Sequence, residues 1–374
     1  MSTTDTDVLV VGAGPAGCAA ALSAARRGLD VVLVDGARFP RDKVCGDGIA
    51  PHALDVYAAL GVDPAALVEG STAIAALRMR APGGEEVRRD TRRPGWVVRR
   101  EDFDHRLLQA TIAAGVTVRQ QNVRAIEVRP NDVVVDGVTA RVVVGADGAE
   151  SVVRRRIGVG PPREGTVALA IRGYTRNALP AGEQYLSMTA HHWPAYGWSF
   201  PIGDGWSNVG YGELLQGAPP TRSELVARLQ TLIPGVAPER VRGHRLPLST
   251  GRPRQPDGRV LLAGDAAGLI NPISGEGIFY AAVSGALAGE AAVHGADAGA
   301  ALRRRLADRL GTHLRHTDLI ARLCRRPWFL DAGVRAAQAA QGPFDAVVEL
   351  ALGDGRLDVR TAGAIVRAAV PVRR

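Results

Sequence analysis

The segment GAGPAG at residues 12–17 constrains the fold more than any other feature of the chain. It follows an apolar run, DVLVV, and opens an alanine-rich stretch that ends at Gly28. A second apolar run, DVVLVD, comes next at residues 30–35. The pattern predicts a strand, a helix and a second strand within about thirty residues, with G-x-G-x-x-G at the first turn. This combination is typical of a Rossmann-type dinucleotide-binding unit.

Each glycine in this loop has a physical role in such a unit. Gly12 allows the tight turn, Gly14 lets the backbone approach a pyrophosphate, and Gly17 lets helix and strand pack closely, with Ala16 in the same loop. Free N–H groups at the helix N-terminus favour an anion. Asp35 ends the second strand at the spacing where a carboxylate accepts hydrogen bonds from a ribose. A glycine turn in some other α/β fold is the less favoured alternative.

A second segment favours FAD over NAD as the dinucleotide. GRVLLAGDAAGLINPISGEGI at residues 258–278 contains a strand, a turn with a proline, and a helix start. Asp265 is placed to bind a ribityl hydroxyl or to order water at the pyrophosphate. The amides near Gly275 and Gly277 are placed to stabilise negative charge on a reduced flavin. A plain buried strand and helix is the alternative.

The order of elements along the chain predicts an interleaved α/β protein. We expect a Rossmann-type FAD-binding domain, a strand-rich α+β substrate domain and a helical C-terminal region, which 374 residues can accommodate. The expected FAD-binding domain comprises residues 1–70, 99–160 and 250–298. The expected substrate domain comprises residues 71–98 and 161–249, and the helical region residues 299–374.

Composition excludes several other classes of protein. The net charge is +8, but Lys43 is the only lysine and the arginines are scattered, so no nucleic-acid-binding tract is expected. Cys18, Cys45 and Cys324 form neither a metal-binding pattern nor a disulfide framework. The N-terminus lacks the features of a signal peptide and no segment is predicted to span a bilayer. A cytoplasmic location is therefore expected.

Two further segments add a family resemblance. Together with the segments above, VVVGADGAESVVRR at residues 142–155 resembles the FAD-dependent aromatic hydroxylase superfamily. The resemblance implies that Asp147 and Gly148 occupy a position associated with FAD and pyridine nucleotide. VVRREDFDHRLL at residues 97–108 resembles the superfamily's arginine-bearing segment, which implies that Arg100 faces the cofactor. Arg99 differs from the acidic or polar residue expected there.

Within that superfamily, the chain resembles the geranylgeranyl reductase family over residues 7–290. Lys43, Cys45 and Gly46 match the Lys-x-Cys-Gly signature in PRDKVCGDG, and AYGWSFPIGDGWSNVGYG at residues 195–212 resembles the Tyr-x-Trp-x-Phe-Pro signature. Tyr196, Trp198, Phe200 and Pro201 are the matching residues of the second signature. The resemblance implies reduction of carbon–carbon double bonds in isoprenoid chains, with the Cys-Gly loop against the flavin.

The aromatic signature predicts an apolar wall on its own physical grounds. Residues 196, 198 and 200 point to one face of a strand. Three aromatic side chains there suit an isoprenoid or a planar ring, because only 5% of the chain is aromatic. Pro201 is expected to end the strand or to keep it at an edge. Simple sheet core is the alternative interpretation.

The sequence does not decide the chemical role of the residues in the Lys-x-Cys-Gly loop. Cys45 near Lys43 and free amides is compatible with a depressed pKa and a role as proton donor, or with a buried thiol that shapes the pocket. Lys43 is expected to contact a phosphate or a carboxylate. His191 and His192 are predicted to lie in a solvated turn, outside the site.

The expected reaction begins with reduction of FAD by NAD(P)H or a ferredoxin-type donor. A hydrophobic substrate then receives a hydride equivalent and a proton, with Cys45, Tyr196 and Trp198 as candidate catalytic residues and Tyr196, Trp198 and Phe200 as substrate-binding residues. No metal is expected. A monooxygenase acting on a natural product and a non-catalytic flavoprotein that binds a prenyl lipid are the alternatives. A halogenase fits less well, because the only lysine lies in the early cofactor loop.

The helical tail raises the question of membrane contact. Leu302, Leu306, Leu310 and Leu314 recur every four residues among arginines, and PWFL follows at residues 327–330. Such a helix suits an anionic membrane face, here the inner one, but packing on the protein itself is the more common arrangement and is favoured. Nothing in the sequence predicts the oligomeric state.

Overall fold

The computed structural model describes residues 4–176 and 182–369, which form fifteen strands and eleven α-helices. The strands are β1 (Thr6–Val11), β2 (Val31–Asp35), β3 (Gly48–Ile49), β4 (Thr72–Arg80), β5 (Glu86–Val97), β6 (Thr117–Gln120), β7 (Ile126–Val128), β8 (Val133–Val135), β9 (Val138–Gly145), β10 (Val167–Arg176), β11 (Glu183–Met188), β12 (Tyr196–Gly203), β13 (Trp206–Leu214), β14 (Glu239–Pro247) and β15 (Val260–Leu262). The helices are α1 (Pro15–Ala25), α2 (Pro51–Ala59), α3 (Pro64–Val68), α4 (Arg100–Ala113), α5 (Val152–Arg156), α6 (Arg222–Leu232), α7 (Ile278–Ala291), α8 (Ala298–Leu323), α9 (Pro327–Ala339), α10 (Gln341–Leu352) and α11 (Val359–Ala369).

The first sheet contains the dinucleotide-binding unit predicted from the sequence. Its order is β6-β2-β1-β9-β8-β7, and β15 pairs with the end of β9. Strands β6, β2, β1, β9 and β15 are parallel, whereas β7, β8 and β9 form antiparallel pairs. The apolar runs in β1, β2 and β9 are buried because helices cover such a sheet. Helices α1 and α7 pack against each other there, and the Ser23 hydroxyl donates to the Ala286 carbonyl at 2.7 Å.

The second sheet has eight strands in the order β14-β10-β13-β12-β11-β4-β5-β3. Helix α6 packs on it through Leu225 and Leu229, which join Tyr211 in one apolar cluster. Helices α9 and α10 cover β4 and β5, where Leu77 and Phe344 lie in another cluster. The mixed α/β fold with a Rossmann-type unit, a strand-rich part and a helical tail is therefore as predicted. The residue ranges of the domains stay a prediction.

Two local expectations need revision. Pro201 does not end β12 or lie on an edge strand, because β12 runs on to Gly203 between β11 and β13. The sheet accommodates the proline because pairing with β11 covers only residues 196–199. The strand expected over residues 258–265 is limited to Val260–Leu262, and a 3₁₀ turn follows at Gly264–Ala267.

The leucine repeat of the tail faces the protein itself. Leu302, Leu310 and Leu314 are buried in the core of the first sheet, and Leu306 packs against that core. The favoured interpretation, packing of this face on the protein itself, is therefore confirmed, since α8 buries it against the dinucleotide-binding unit. No described helix contains an apolar stretch long enough to cross a bilayer.

Candidate active site

The glycine loop joins β1 to α1 and leaves the helix N-terminus open. Gly14 precedes the helix in an extended conformation and no side chain caps it. A Cβ on Gly17 would lie 1.7 Å from the Gly12 carbonyl oxygen, so the tight turn requires glycine there. Asp35, at the end of β2, accepts hydrogen bonds from the N–H groups of Ala13 at 2.7 Å and Ala37 at 2.8 Å. An open helix N-terminus beside a carboxylate fits the phosphates and ribose of a dinucleotide.

The loop after β9 uses its aspartate to start a helix. The Asp147 carboxylate accepts hydrogen bonds from the Ser151 hydroxyl at 2.5 Å and from the Val152 and Val153 N–H groups at 2.6 and 3.1 Å. Gly148 follows with a φ of 79°. The carboxylate therefore organises the turn, and the cofactor contact expected of this pair stays a prediction.

Lys43 and Asp265 are brought together from opposite ends of the chain. The Lys43 amine lies 3.3 Å from the Asp265 carboxylate. Burial acts to raise the pKa of Asp265, but the charge of Lys43 outweighs it, with a further contribution from His244, and the pKa is lowered. Lys43 thus contacts a carboxylate, one of its two expected partners. The ion pair joins the Lys-x-Cys-Gly loop to the turn after β15.

Asn208 connects the two family signatures. It accepts a hydrogen bond from Trp198 Nε1 at 2.8 Å, and its amide donates to the Cys45 carbonyl at 2.9 Å and to Asp47 at 2.7 Å. Tyr174 also donates to Asp47, at 3.0 Å. The Cys45 loop is therefore fixed to the strand that carries the aromatic residues.

Asp47 is a fully buried carboxyl group within this network. Its φ of 61° places it in the left-handed region, which aspartate tolerates better than most residues. Burial raises the pKa of Asp47 to about 6, although the Asn208 hydrogen bond and the nearby Arg172 charge act in the opposite direction. Asp47 stands inside the quoted signature, KVCGDG, and a charged residue between two glycines was the signal available in the sequence.

The Cys45 thiol is not activated as a thiolate. Burial raises its pKa, and the charge of Arg100, which acts to lower it, does not compensate. Of the two interpretations left open, the buried thiol is therefore favoured over one with a depressed pKa, because the side chain lines a mostly apolar cavity and Lys43 is engaged by Asp265. At neutral pH the group is a neutral thiol.

The three signature aromatics form a continuous wall. The ring centroids of Tyr196 and Trp198 are 6.0 Å apart, and those of Trp198 and Phe200 are 6.4 Å apart. Gly46 lies against this wall, since a Cβ there would be 3.2 Å from the Phe200 ring. The Tyr196 hydroxyl donates to the Ser274 carbonyl, and burial raises the pKa of Tyr196. The wall therefore touches both the Cys45 loop and the loop before α7.

Arg100 begins α4 and is held by a neighbour one turn along. It forms two hydrogen bonds to the Asp104 carboxylate, at 2.8 and 2.7 Å, and both side chains are buried. Arg41 makes a second contact with Asp104, at 3.0 Å. Arg99 instead lies over the Tyr174 ring, 5.5 Å from its centroid. Of Arg99 and Arg100, it is Arg100 that lines the cavity of this site.

A mostly apolar cavity of about 260 Å³ brings many of the expected residues together. Its lining includes the predicted cofactor-binding residues Lys43, Cys45, Gly46, Arg100, Asp265, Gly275 and Gly277. Its walls include the aromatic residues Tyr196, Trp198 and Phe200 and the aliphatic residues Ile74, Leu77, Met79, Leu186, Val347, Val348 and Leu352. Gly12, Gly14, Ala16, Gly17, Asp35, Asp147 and Gly148 lie outside this lining, at the ends of β1, β2 and β9 and in α1. His191 and His192 are exposed, as predicted.

Several polar residues of this cavity were not predicted. Glu276, in the SGEG segment, accepts a hydrogen bond from the Phe279 N–H at 2.8 Å. Burial raises the pKa of Glu276 to about 7, despite that bond. His52, His244 and Glu349 also line the cavity. A carboxylate in an apolar segment signalled Glu276 in the sequence, whereas nothing connected Glu349 or Asn208 with residues so distant in the chain.

Comparison with known proteins gives consistent results. The FAD binding domain family matches residues 5–174. The chain is 34% identical over 353 residues to menaquinone reductase from Mycobacterium tuberculosis, covering 87% of this chain and 85% of that protein. It is 30% identical over 345 residues to digeranylgeranylglycerophospholipid reductase 1 from Methanopyrus kandleri, covering 84% and 88% of the two chains.

Solved structures share the fold at lower sequence identity. A geranylgeranyl bacteriochlorophyll reductase-like protein from Thermoplasma acidophilum has a TM-score of 0.74 and 20% identity, over 97% of this chain and 95% of the other. A flavin-dependent brominase has a TM-score of 0.76 and 19% identity, over 97% of each chain. The fold alone therefore does not separate reductases from halogenases, whereas the two relatives described above, at 34% and 30% identity, are named reductases. The chain belongs to the geranylgeranyl reductase family of FAD-dependent oxidoreductases.

Proposed function

We propose that this protein reduces carbon–carbon double bonds of an isoprenoid chain that lies in the apolar cavity. The cavity carries the proposal, because its aromatic wall and aliphatic lining meet the Lys-x-Cys-Gly loop at one end. The relatives named menaquinone reductase and digeranylgeranylglycerophospholipid reductase support the same substrate class. A prenyl quinone, a geranylgeranyl lipid or a related natural product is the expected substrate.

The residues present fit FAD. The open N-terminus of α1, with Gly12, Gly14, Ala16 and Gly17, is proposed to hold the pyrophosphate, and Asp35 the ribose. Asp147, Gly148 and Asp265 are proposed to contact the remaining part of the linker that joins the adenine and flavin rings of FAD. Gly275 and Gly277 are proposed to contact the flavin. When bound, FAD supplies a hydride equivalent to an alkene carbon. NAD(P)H or a ferredoxin-type protein is proposed to reduce it.

The cavity residues are proposed to position the alkene. Trp198 and Phe200 hold the chain through apolar contact, and the Asn208 bridge fixes Trp198 relative to Cys45. Tyr196 is proposed to position the substrate, because its hydroxyl already donates to the Ser274 carbonyl. Cys45, as a neutral thiol, is proposed to shape the pocket or to donate a proton. Arg100 and Lys43 are proposed to provide positive charge near the cofactor.

The domain boundaries and the contact with a membrane also remain proposals. Residues 1–70, 99–160 and 250–298 are proposed as the FAD-binding domain, and residues 71–98 and 161–249 as the substrate domain. Peripheral contact with a membrane is proposed at the exposed side chains of Leu319 and Trp328, which are 48% and 52% exposed. Flotation with anionic vesicles tests the contact, and loss of flotation in Trp328→Ala is the expected result.

The test of the proposed function is an anaerobic single turnover. The purified flavoprotein is reduced with dithionite and mixed with a menaquinone or a geranylgeranyl lipid in the absence of oxygen. Return of the oxidised flavin absorbance, with a product two mass units heavier per reduced bond, supports the proposal. A flavin that stays reduced until oxygen enters, followed by an oxygenated product, identifies a monooxygenase instead. A flavin that no substrate reoxidises, in the presence of tight prenyl-lipid binding, identifies a binding protein.

A further inference from the structure

Reduction of a double bond requires a proton as well as a hydride, and the proposed cavity is mostly apolar. Each turnover adds one hydride equivalent from the reduced flavin to one alkene carbon and one proton to the other. The proton is consumed inside the cavity and must be replaced from solvent. A second set of polar residues, on α2, α10 and the loop before α7, lines the same cavity.

His52 and Glu349 form a pair at the outer part of this set. His52 Nε2 lies 3.0 Å from a carboxylate oxygen of Glu349, and the Glu349 side chain is 41% exposed. The hydrogen bond to His52 lowers the pKa of Glu349, so it is a carboxylate at neutral pH. A carboxylate only accepts hydrogen bonds. The pair therefore assigns a proton to Nε2 and leaves Nδ1 as the nitrogen that gains and loses one.

The structure holds the His52 ring in a fixed orientation. The Phe279 ring meets it edge-on, with centroids 5.9 Å apart. Gly353 packs against its other atoms, since a Cβ there would be 2.9 Å from both Cδ2 and Nε2. Nδ1 is buried and has no hydrogen-bond partner among the described residues. Buried polar atoms without partners are uncommon, which makes this nitrogen a candidate for a functional role.

Glu276, in the loop before α7, is the third residue of this polar set. It lines the cavity together with Tyr196 and Cys45, and its charge interacts with His52 and Arg100. Burial raises the pKa of Glu276 to about 7, so a substantial fraction carries a proton near neutrality. Other charged groups also face the pair of His52 and Glu349. Asp55 faces His52, and Arg92 and Arg93 face Glu349.

We propose that Glu276 donates the proton to the alkene carbon and that His52, held by Glu349, returns a proton to Glu276. Glu276 releases its proton to the substrate as the hydride equivalent adds to the neighbouring carbon. The resulting carboxylate regains a proton from Nδ1 of the His52 imidazolium through a water molecule in the cavity. Nε2 keeps its proton and its bond to Glu349 throughout, and Nδ1 regains its own proton from solvent through water in the cavity. The route rests on the proposed reductase function.

The variants His52→Gln, Glu349→Gln and Glu276→Gln test the route, with His191→Gln as the matched control. His191 is exposed and lies outside the cavity lining. Each protein is reduced anaerobically and mixed with a geranylgeranyl lipid that has no quinone ring. Flavin reoxidation is followed from pH 6 to 9 in H₂O and D₂O.

We expect the wild-type rate to fall above about pH 7, where Glu276 loses its proton, and to show a solvent isotope effect. Glu276→Gln is expected to slow reoxidation about a hundredfold and to remove that pH dependence. His52→Gln and Glu349→Gln are expected to slow it mainly at high pH, with recovery on addition of imidazole. His191→Gln is expected to retain the wild-type profile. Wild-type rates and isotope effects in His52→Gln and Glu276→Gln across the range would overturn the route.

A second readout requires no turnover. Nitrogen-15 spectra of the oxidised protein are expected to show His52 in the Nε2–H tautomer at high pH, and to lose this preference in Glu349→Gln but not in His191→Gln. An Nδ1–H tautomer in the wild-type protein would exclude the assigned direction of transfer. If no isoprenoid reoxidises the wild-type flavin, the proposed function fails, and the tautomer still decides whether the His52–Glu349 pair has the assigned arrangement.

Discussion

Asn208 holds Trp198 and the Cys45 loop in one hydrogen-bonded unit, because its side-chain oxygen accepts from Trp198 Nε1 and its amide donates to the Cys45 carbonyl. The two family signatures are about 150 residues apart in sequence, yet one amide side chain satisfies both. We expect this bridge to set the distance between the aromatic wall and the Cys45 loop. It contributes to stability and to substrate placement together.

Replacing Asn208 by leucine should destabilise the protein. The change leaves Trp198 Nε1 and the Cys45 carbonyl without a partner, and each buried unpaired group costs about 1–3 kcal/mol. Urea unfolding followed by tryptophan fluorescence measures the loss, and a shift in the native emission of Trp198 is expected as well. Asn131→Leu, at an exposed turn, serves as the control. Equal unfolding free energies for the two variants would contradict the structural role of the bridge.

The buried pair of Arg100 and Asp104 predicts a non-additive result. Asp104→Leu leaves the Arg100 guanidinium buried without its partner and should cost about 3–5 kcal/mol of unfolding free energy. The double variant Arg100→Leu/Asp104→Leu removes both charges and should recover much of that loss. A double-variant cycle by chemical denaturation provides the comparison. Strict additivity of the two single changes would show that the charges do not interact.

Asp47 should make stability depend on pH in a defined window. Its pKa is raised from 3.8 to about 6 in the folded protein, so the folded state binds the proton more tightly than the unfolded state. Stability should therefore fall as pH rises from about 4 to 6, by about 3 kcal/mol from this group alone. Asp47→Asn should flatten that part of the profile, and the exposed Glu164→Gln should not. An unchanged slope in Asp47→Asn would refute the assignment.

Cys45 should react slowly with iodoacetamide at neutral pH. Burial raises the pKa of its thiol, so the thiolate fraction is small and the labelling rate should increase only well above pH 8. Mass spectrometry of the labelled peptide measures the rate, and glutathione in the same solution provides the reference. Labelling of Cys45 faster than that of glutathione at pH 7 would restore the interpretation as a reactive thiolate.

The sequence predicted those parts of the site that depend on local spacing. GAGPAG, Asp35 and the alternating aromatics of residues 196–200 follow from the periods of helix and strand, and the structure places them accordingly. The family resemblance then brought Lys43 and Cys45 into the site. What could not be predicted depends on contacts across the chain. Asn208 contacts the Cys45 carbonyl 163 residues away in sequence, and His52 contacts Glu349 297 residues away.

The wrong prediction and the questions that the sequence left open have the same origin. Pro201 suggested a strand edge by its own chemistry, but the pairing of β11 ends before it and the sheet continues. A depressed pKa for Cys45 was one of two open alternatives and assumed that Lys43 was free, whereas Asp265, 222 residues away in the chain, engages that amine. The leucines of α8 were compatible with a lipid surface, but the favoured interpretation holds because the dinucleotide-binding unit covers them. In each case a partner from elsewhere in the fold decided the outcome.

The ion pair between Lys43 and Asp265 contains the only lysine side chain of the sequence. Since no other lysine exists in the chain, an amine-directed ester can modify only the N-terminus and this one side chain, which is 28% exposed beside the cofactor loops. The extent of acylation at residue 43 therefore reports how accessible this ion pair is, and it can be read by mass alone.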